Sequence, residues 1–171
     1  MPRIIPIVGC KNAGKTRTCE VLIPPLTQLG LKVGTLKYTE HDGFDWDQPG
    51  KDTFRHRTAG SRVTGIFGSK ICAFSLNDSD SISQPIESLV RVFYRTLDLV
   101  LIEGYRPGPG AKIEVWRPEY SDRPVARAED LLATYGANLF NGNRPHFDYG
   151  QETPLAEYIL SHFDTLTEVR V

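Results

Sequence analysis

The sequence has few cysteines, no long apolar run and almost no net charge, and each absence excludes a class of protein. Its three cysteines, Cys10, Cys19 and Cys72, form no CxxC pair and no disulfide framework. An odd count with no signal peptide favours a reducing compartment. The apolar start at residues 4–8 is too short for a signal sequence or a membrane span. We therefore expect a cytoplasmic protein that does not bind membranes.

The charge balance points away from nucleic acid and toward a small anionic ligand. The 171 residues include 20 Lys and Arg against 21 Asp and Glu, a net charge of −1, so a generally basic nucleic-acid binder is excluded. Residues 1–40 alone are basic, with six Lys or Arg against two acidic residues. A chain of this length predicts a single domain over residues 1–171, large enough to need no metal or disulfide for stability.

Short apolar runs alternate with amphipathic segments, which indicates an α/β sheet protein. Strands are predicted at 3–8, 32–37, 63–67, 71–76, 99–103, 112–116 and 131–134. One helix is predicted from an apolar stripe at Ile86, Leu89, Val90, Phe93 and Leu97. The last helix is predicted to have Thr153 as its N-cap and Pro154 as its first residue.

The first helix is predicted to begin near Gly14 and to stop at Gly30. Leu22, Leu26 and Leu29 are expected to face inward. Because Pro24 and Pro25 fall inside the helix, we expect a kink or an early end there.

The strongest motif is a complete P-loop, G-x-x-x-x-G-K-[ST], placed between the first strand and the first helix. Its residues are Gly9, Cys10, Lys11, Asn12, Ala13, Gly14, Lys15 and Thr16. The glycines allow a tight turn, and successive backbone N–H groups point at a bound phosphate. Lys15 is expected to reach the β and γ phosphates and Thr16 to bind Mg²⁺. The alternative, a chance glycine turn, fits this strand–loop–helix context poorly.

A P-loop site also needs a carboxylate near the metal ion, and the run 98–104 offers Asp98 and Glu103. Ligands of parallel sheets bind at the carboxyl ends of the strands, where Glu103 lies, whereas Asp98 lies at the other end. Glu103 is therefore the metal candidate, with a solvated strand cap as its alternative. Any catalytic role would fall to Lys15 and Glu103.

The polar segment from Lys37 to Thr53 is long enough for a lid or a binding loop. Asp52 or Thr53 can cap a following helix, whose N-terminus, with Arg55 and Arg57 nearby, is suited to a second anion. An ordinary flexible loop explains the composition equally well. His41 matches no metal-ligand spacing.

The choice of nucleotide base is left open by the residues. No Asn-Lys-x-Asp run is present, and the candidate base readers are Asn77, Asp78 and Asn138, each after an apolar strand. The residues alone predict a nucleoside triphosphate with Mg²⁺.

Taken in order, the motifs resemble those of the molybdopterin-guanine dinucleotide biosynthesis adapter proteins, the MobB family. The likeness lies in the P-loop and in four later segments: Leu36-Lys37-Tyr38-Thr39-Glu40-His41-Asp42, Gly50-Lys51-Asp52-Thr53, Ile102-Glu103-Gly104-Tyr105 and Lys112-Ile113-Glu114-Val115. The resemblance covers nearly the whole chain. Tyr38 and Glu40 stand where the family has histidines, and Arg17 stands where a second threonine is common.

The resemblance implies a three-layer α/β P-loop NTPase fold with a largely parallel central sheet. It also implies a homodimer that binds GTP and Mg²⁺, has weak or no GTPase activity and assists the molybdopterin guanylyltransferase, with other molybdenum-cofactor proteins as further partners. In this chain the nucleotide-binding set is then residues 9–16 with Lys37, Lys51, Asp52 and Thr53, and the metal set is Thr16 and Glu103.

Two other functions compete with this interpretation. A small P-loop kinase would transfer the γ-phosphoryl group of ATP to a metabolite held by Asp52, Arg55, Arg57 and Arg62. A GTPase-driven metal chaperone is disfavoured because the sequence has no Cys/His cluster. An adapter also needs a partner surface, and we expect at least one of Phe44, Trp46 and Tyr105 to line an interface or the nucleotide mouth.

Overall fold

The computed structural model of the chain describes residues 1–39, 47–76, 85–107, 110–136 and 144–169. Contacts divide the chain into two compact units. The first combines Met1–Thr39 with Val90–Val171, and the second is Glu40–Leu89. The expectation of one domain over residues 1–171 stays a prediction. No helix among the described residues is long and apolar enough to cross a membrane.

The first unit is built on a largely parallel sheet, which confirms the predicted fold class. In chain order its strands are β1 (Arg3–Val8), β2 (Val33–Lys37), β5 (Leu99–Glu103), β6 (Lys112–Trp116), β7 (Leu131–Gly136), β8 (His146–Phe147) and β9 (Thr167–Glu168). Their order across the sheet is β2-β5-β1-β6-β7-β8, with β9 antiparallel to β1. Strands β6 and β9 share one edge of β1. The carboxyl end of β1 pairs with β6, and its amino end pairs with β9.

One face of this sheet carries the main hydrophobic core. Helices α1 (Lys15–Gln28) and α4 (Glu152–Ser161) pack there. Fully buried side chains from the helices meet fully buried side chains from the strands: Leu22, Leu26, Leu155 and Ile159 on the helices, and Ile5, Ile7, Leu99 and Leu101 on the strands. Each such side chain contributes about 1.5–3 kcal/mol of transfer free energy, so this layer fixes the position of α1 and the loop that precedes it.

The opposite face of the sheet is partly polar. Tyr94 and Leu97 lie over Gly34, and the Tyr94 hydroxyl donates to the carbonyl of Thr35 at 2.8 Å. Lys112 and Glu114 alternate with the core residues of β6, so they point to this second face, and both are buried.

Helix α1 continues through both prolines, so the expected early end is wrong, and the other expectation, a kink, stays a prediction. The N–H of Leu29 bonds to the carbonyl of Pro25 at 3.0 Å, and the helix ends at Gln28. Burial of Leu22 and Leu26 outweighs the two backbone bonds that the prolines cannot make. Leu29 is the C-cap and is exposed rather than inward-facing. Gly30 follows with φ +90°, which confirms the predicted stop.

Two other helix boundaries differ from the prediction. Helix α4 begins at Glu152 with Gln151 as its N-cap, because Gln151 closes a turn onto Asp148 before the helix starts. Pro154 therefore lies in the first turn, where a missing N–H costs nothing. The apolar stripe forms helix α3 (Ile86–Phe93), which ends before Leu97.

The second unit contains a short helix and a two-stranded antiparallel sheet. Helix α2 is Asp52–Thr58, and the strands are β3 (Val63–Phe67) and β4 (Cys72–Leu76). Val63 pairs with Leu76, and Phe67 pairs with Cys72. The apolar side chains of this hairpin are largely exposed, Phe67 to 87%.

Candidate functional site

The P-loop connects the carboxyl end of β1 to the first turn of α1. At Gly9, φ is +152° and a Cβ would lie 2.5 Å from the carbonyl oxygen of Val115, so no side chain fits there. Gly14 is the N-cap of α1, with φ 101° and no side-chain cap. The N–H groups of the first helical turn have no acceptor within the helix, and the helix dipole adds positive potential. The sequence thus builds an anion-binding helix start.

Lys15 lies along this loop. Its Nζ donates to the carbonyl oxygens of Cys10 at 2.7 Å and Gly9 at 3.2 Å. Burial lowers the pKa of Lys15, and the nearby Glu103 carboxylate opposes that shift. The lysine is therefore held on the loop by carbonyls that a phosphate can replace as partners.

Glu103 meets the P-loop at the carboxyl end of β5. The Thr16 hydroxyl donates to Glu103 Oε1 at 2.7 Å, and the Lys37 Nζ lies 3.8 Å from the same oxygen. The sheet order explains this meeting, because β5 lies between β1 and β2 and all three strands end at the same edge. The structure thus brings together three residues that the sequence analysis singled out separately.

The backbone around Glu103 is tightly held. The Gly104 N–H donates to the carbonyl of Ile7, and the Tyr38 N–H donates to the carbonyl of Glu103, both at 2.9 Å. A Cβ at Gly104, where φ is +85°, would lie 3.0 Å from the Tyr38 carbonyl oxygen. Glycine here lets the backbone after β5 lie close to the backbone after β2.

The oxygens of Thr16 and Glu103 are a donor set that suits Mg²⁺. A hydroxyl and a carboxylate oxygen are hard ligands, and Mg²⁺ binds few protein oxygens and keeps several waters. Among the described residues, no three His, Cys, Asp or Glu side chains gather into a group that could hold a metal ion. The site can therefore offer Mg²⁺ two protein oxygens beside phosphate.

Asp98 lies at the other end of β5. Its Oδ2 accepts the N–H of Lys32 at 2.7 Å, which fixes the entry to β2. Asp98 is therefore a turn residue, and the carboxylate at the P-loop is that of Glu103.

Two arginines near the P-loop were missed by the sequence analysis. Arg106 Nη2 donates to the Gly9 carbonyl at 3.4 Å. Arg117 lies beside Gly14, where a Cβ would be 3.8 Å from its Nη2. Both residues follow strands, β5 and β6, that end at the ligand edge of the sheet. That rule for parallel sheets was the available signal.

Arg117 is held in place by Tyr149. Its Nε donates to the Tyr149 hydroxyl at 2.8 Å, and its guanidinium lies 5.2 Å from the centre of the same ring. The bond to Tyr149 raises the pKa of Arg117, so the group stays charged. Because β5 and β6 lie on opposite sides of β1, Glu103 and Arg117 flank the P-loop from opposite sides.

The other predicted binding residues, Lys51, Asp52 and Thr53, belong to the second unit. Lys51 is the N-cap of α2 and Asp52 is its first residue, so the predicted side-chain cap from Asp52 or Thr53 is wrong. The Thr53 hydroxyl instead donates to Asp47 Oδ1 at 2.9 Å. The sequence analysis also named eight residues that lie outside the described residues: Glu40, His41, Asp42, Phe44, Trp46, Asn77, Asp78 and Asn138. Tyr105 packs edge-on against Tyr38, with ring centres 5.2 Å apart.

Comparisons with known proteins agree with this architecture. The family model described as Molybdopterin guanine dinucleotide synthesis protein B, MobB, matches residues 4–136. The molybdopterin-guanine dinucleotide biosynthesis adapter protein of Escherichia coli K12 is 32% identical over 122 residues, 71% of this chain and 69% of that protein. The protein of the same description from Haemophilus influenzae is 29% identical over 165 residues, 94% of this chain and 90% of that protein.

Solved structures show the same fold. A crystal structure of molybdopterin-guanine biosynthesis protein B is similar with a TM-score of 0.73 at 24% identity, covering 94% of this chain and 99% of that one. The crystal structure of Bacillus subtilis MobB gives a TM-score of 0.72 at 22% identity, covering 96% and 98%.

Proposed function

The chain belongs to the MobB family of molybdopterin guanine dinucleotide synthesis proteins, and from this premise we propose that it is a cytoplasmic adapter that binds Mg²⁺-GTP through its P-loop. In this role it assists the guanylyltransferase that attaches GMP to molybdopterin and hydrolyses GTP slowly or not at all. The observation that carries the nucleotide part is the hydrogen bond from Thr16 to Glu103, at 2.7 Å, beside Lys15 at a helix start.

Each residue of the site has a distinct part in this proposal. The backbone N–H groups of residues 9–16 bind the phosphate oxygens, and Lys15 leaves its carbonyl partners for the β and γ phosphates. Thr16 and Glu103 would hold Mg²⁺, Glu103 through bound water, and the ion would neutralise phosphate charge there. Lys37 balances the charge of Glu103. Lys51, Asp52 and Thr53 remain candidates to close over the nucleotide.

The pairing of Glu103 supports binding without fast hydrolysis. A general base needs an oxygen free to accept a proton from the attacking water. Oε1 of Glu103 already accepts the Thr16 hydroxyl and faces the Lys37 ammonium. Glu103 is thus better suited to hold a metal shell than to take a proton.

The hairpin of the second unit supports a homodimer. Val63, Phe67 and Phe74 lie on one face of the two strands, and each is more than half exposed. An isolated two-stranded sheet is marginally stable in water, and exposed strand edges tend to pair with another chain. A second copy of the chain that covers this face would bury these side chains and stabilise the hairpin.

The test is reconstitution with the guanylyltransferase. Wild-type protein is expected to raise the yield of molybdopterin guanine dinucleotide, and Lys15→Ala to remove most of that increase. Lys32→Ala is the control, because Lys32 is an exposed lysine at the opposite edge of the sheet. An equal yield with and without the protein would overturn the adapter role, and full activity of Lys15→Ala would separate that role from the nucleotide.

A further inference from the structure

A cavity lies within the first unit, on the sheet face opposite helices α1 and α4. Its volume is about 370 Å³, and its apolar walls are formed by Val8, Pro107, Val125 and Ala126. Ligand pockets of proteins are typically about 300–1,000 Å³. The cavity is therefore large enough for one small organic molecule and offers it apolar walls.

The charged lining of this cavity is mostly positive. Its charged residues are Arg106, Lys112, Arg127 and Asp130. Lys112 is 3% exposed, and its Nζ lies 3.3 Å from Asp130 Oδ2, so these two charges balance each other. Arg106 and Arg127, both exposed, are the other two positive residues of the lining, and Arg106 also donates to the Gly9 carbonyl and interacts with the Glu114 carboxylate.

The wall that carries Arg127 is anchored by a buried carboxylate. Both oxygens of Glu114 accept backbone N–H groups, from Val125 at 2.7 Å and from Ala126 at 3.0 Å. Burial raises the pKa of Glu114, while these two bonds and Arg106 act in the opposite direction. A buried acid fixed by two amides holds the 125–127 segment over the sheet, so the cavity is a built feature of the fold.

We propose that this cavity binds a small phosphomonoester whose apolar ring rests against Val8, Pro107, Val125 and Ala126. A guanidinium donates two parallel hydrogen bonds to an anion, and one such group is enough for a carboxylate. Two guanidinium groups in one lining match a phosphoryl group, which has three acceptor oxygens and a charge near −2. The cavity adjoins the P-loop, because Val8 precedes Gly9 and Arg106 donates to the Gly9 carbonyl at 3.4 Å, but its lining contains none of residues 9–16.

The test uses 4-methylumbelliferyl phosphate, a planar ring with one phosphomonoester, titrated into the full chain and followed by fluorescence anisotropy. Binding by the wild-type protein is expected to weaken at least tenfold in Arg127→Ala and to be partly restored in Arg127→Lys. Arg123→Ala is the matched control, because Arg123 is an exposed arginine of the same segment that does not line the cavity. The probe without phosphate, 4-methylumbelliferone, is expected to bind far more weakly.

Lys15→Ala distinguishes this cavity from the P-loop, which also attracts phosphate. Unchanged probe binding by Lys15→Ala supports the second site, whether or not the protein binds GTP. Loss of probe binding in Lys15→Ala would overturn the proposal, because the probe would then lie in the P-loop. Equal binding by wild type and Arg127→Ala, or no binding by wild type at millimolar probe, would also overturn it.

Discussion

Glu103 and Thr16 are separated by 86 intervening positions in the chain and lie within hydrogen-bond distance in the fold. Their pairing gives the P-loop its carboxylate. We therefore expect Glu103 to favour Mg²⁺ binding through its negative charge and not through its size.

In Glu103→Gln, the factor by which Mg²⁺ tightens GTP binding is expected to be about tenfold smaller than in wild type. A loss of this size is typical when a partner of metal-bound groups is removed. The measurement is the GTP dissociation constant at a series of Mg²⁺ concentrations. Asp98→Asn is the control, since Asp98 lies at the other end of the same strand. The same Mg²⁺ dependence in Glu103→Gln and wild type would contradict the assigned role.

Arg117 is expected to lie beside the nucleoside, because it flanks the P-loop on the side opposite Glu103, where we propose that Mg²⁺ and the terminal phosphates bind. Arg117→Ala should weaken GTP binding about two- to fivefold, the effect of losing an exposed cation–π contact of about 0.5–1 kcal/mol. Binding of Mg²⁺-tripolyphosphate, which has no nucleoside, should stay unchanged. Arg95→Ala, another exposed arginine, serves as the control. Equal losses for both ligands would place Arg117 at the phosphates instead.

At this scale, the sequence predicts those residues that a motif defines and misses those that only the strand order brings in. The P-loop residues are contiguous, and Glu103 could be placed because it ends an apolar strand. Arg106 and Arg117 could not be placed, since nothing local shows that the ends of β5 and β6 flank β1. Their positions depend on tertiary pairing.

Helix α1 shows why element boundaries were harder to predict than elements. Two adjacent prolines are a strong local signal for a helix end, yet the helix continues to Gln28. Local propensity is a weak influence compared with the burial of an apolar face against a sheet. The helix tolerates the prolines at a cost in free energy that substitution can reveal.

Pro24→Ala is expected to raise the free energy of unfolding by about 2 kcal/mol. Alanine is better than proline in a helix interior by about 3 kcal/mol, and the greater freedom of the unfolded chain returns about 0.4–1 kcal/mol of that gain. Urea denaturation measures the change. Pro25→Ala should gain less, because Pro25 is buried and its ring packs against neighbours. A loss of stability in Pro24→Ala would show that the proline ring itself is needed.

Glu152, at the start of α4, gives the expected pH dependence. The Tyr135 hydroxyl donates to its carboxylate and holds the pKa of Glu152 below the usual 4.5. A lowered pKa stabilises the fold above 4.5, and this contribution disappears as pH falls through the lowered value. Glu152→Gln should therefore have a lower free energy of unfolding than wild type at pH 7, by at most about 1 kcal/mol after solvent screening. Near pH 2 the two proteins should have the same free energy of unfolding.

The measurement is thermal unfolding of both proteins across this pH range. Glu157→Gln, an exposed glutamate of the same helix, is the control. A difference between wild type and Glu152→Gln that persists at the acid end would show that the bond does not depend on the charge.

The whole molecule combines a buried parallel sheet with a hairpin whose apolar side chains are exposed. The α/β class and the central strands could be predicted, because their apolar runs alternate with a phosphate loop and helices. The separate hairpin of β3 and β4 could not, because periodicity does not reveal which strands leave the main sheet. The exposed face of that hairpin bears on the oligomeric state.

Phe67→Asp is expected to convert a homodimer to a monomer, because it places a charge at the most exposed apolar side chain of the hairpin, 87% accessible. Size-exclusion chromatography with light scattering gives the mass. Val92→Asp makes the same change at an exposed position on α3 and should leave the mass unchanged. A wild-type protein that is monomeric at high concentration would remove the dimer from the account.

The central claim is that this fold binds Mg²⁺-GTP through its P-loop. Calorimetric titration of GTP and of ATP, each with Mg²⁺, into wild type and Lys15→Ala tests it most directly. The account predicts tighter binding of GTP than of ATP, and a loss of at least tenfold in Lys15→Ala. No binding of either nucleotide would contradict the account. A preference for ATP would also contradict it and would favour the small-kinase alternative, with metabolite-dependent ADP release as the next measurement.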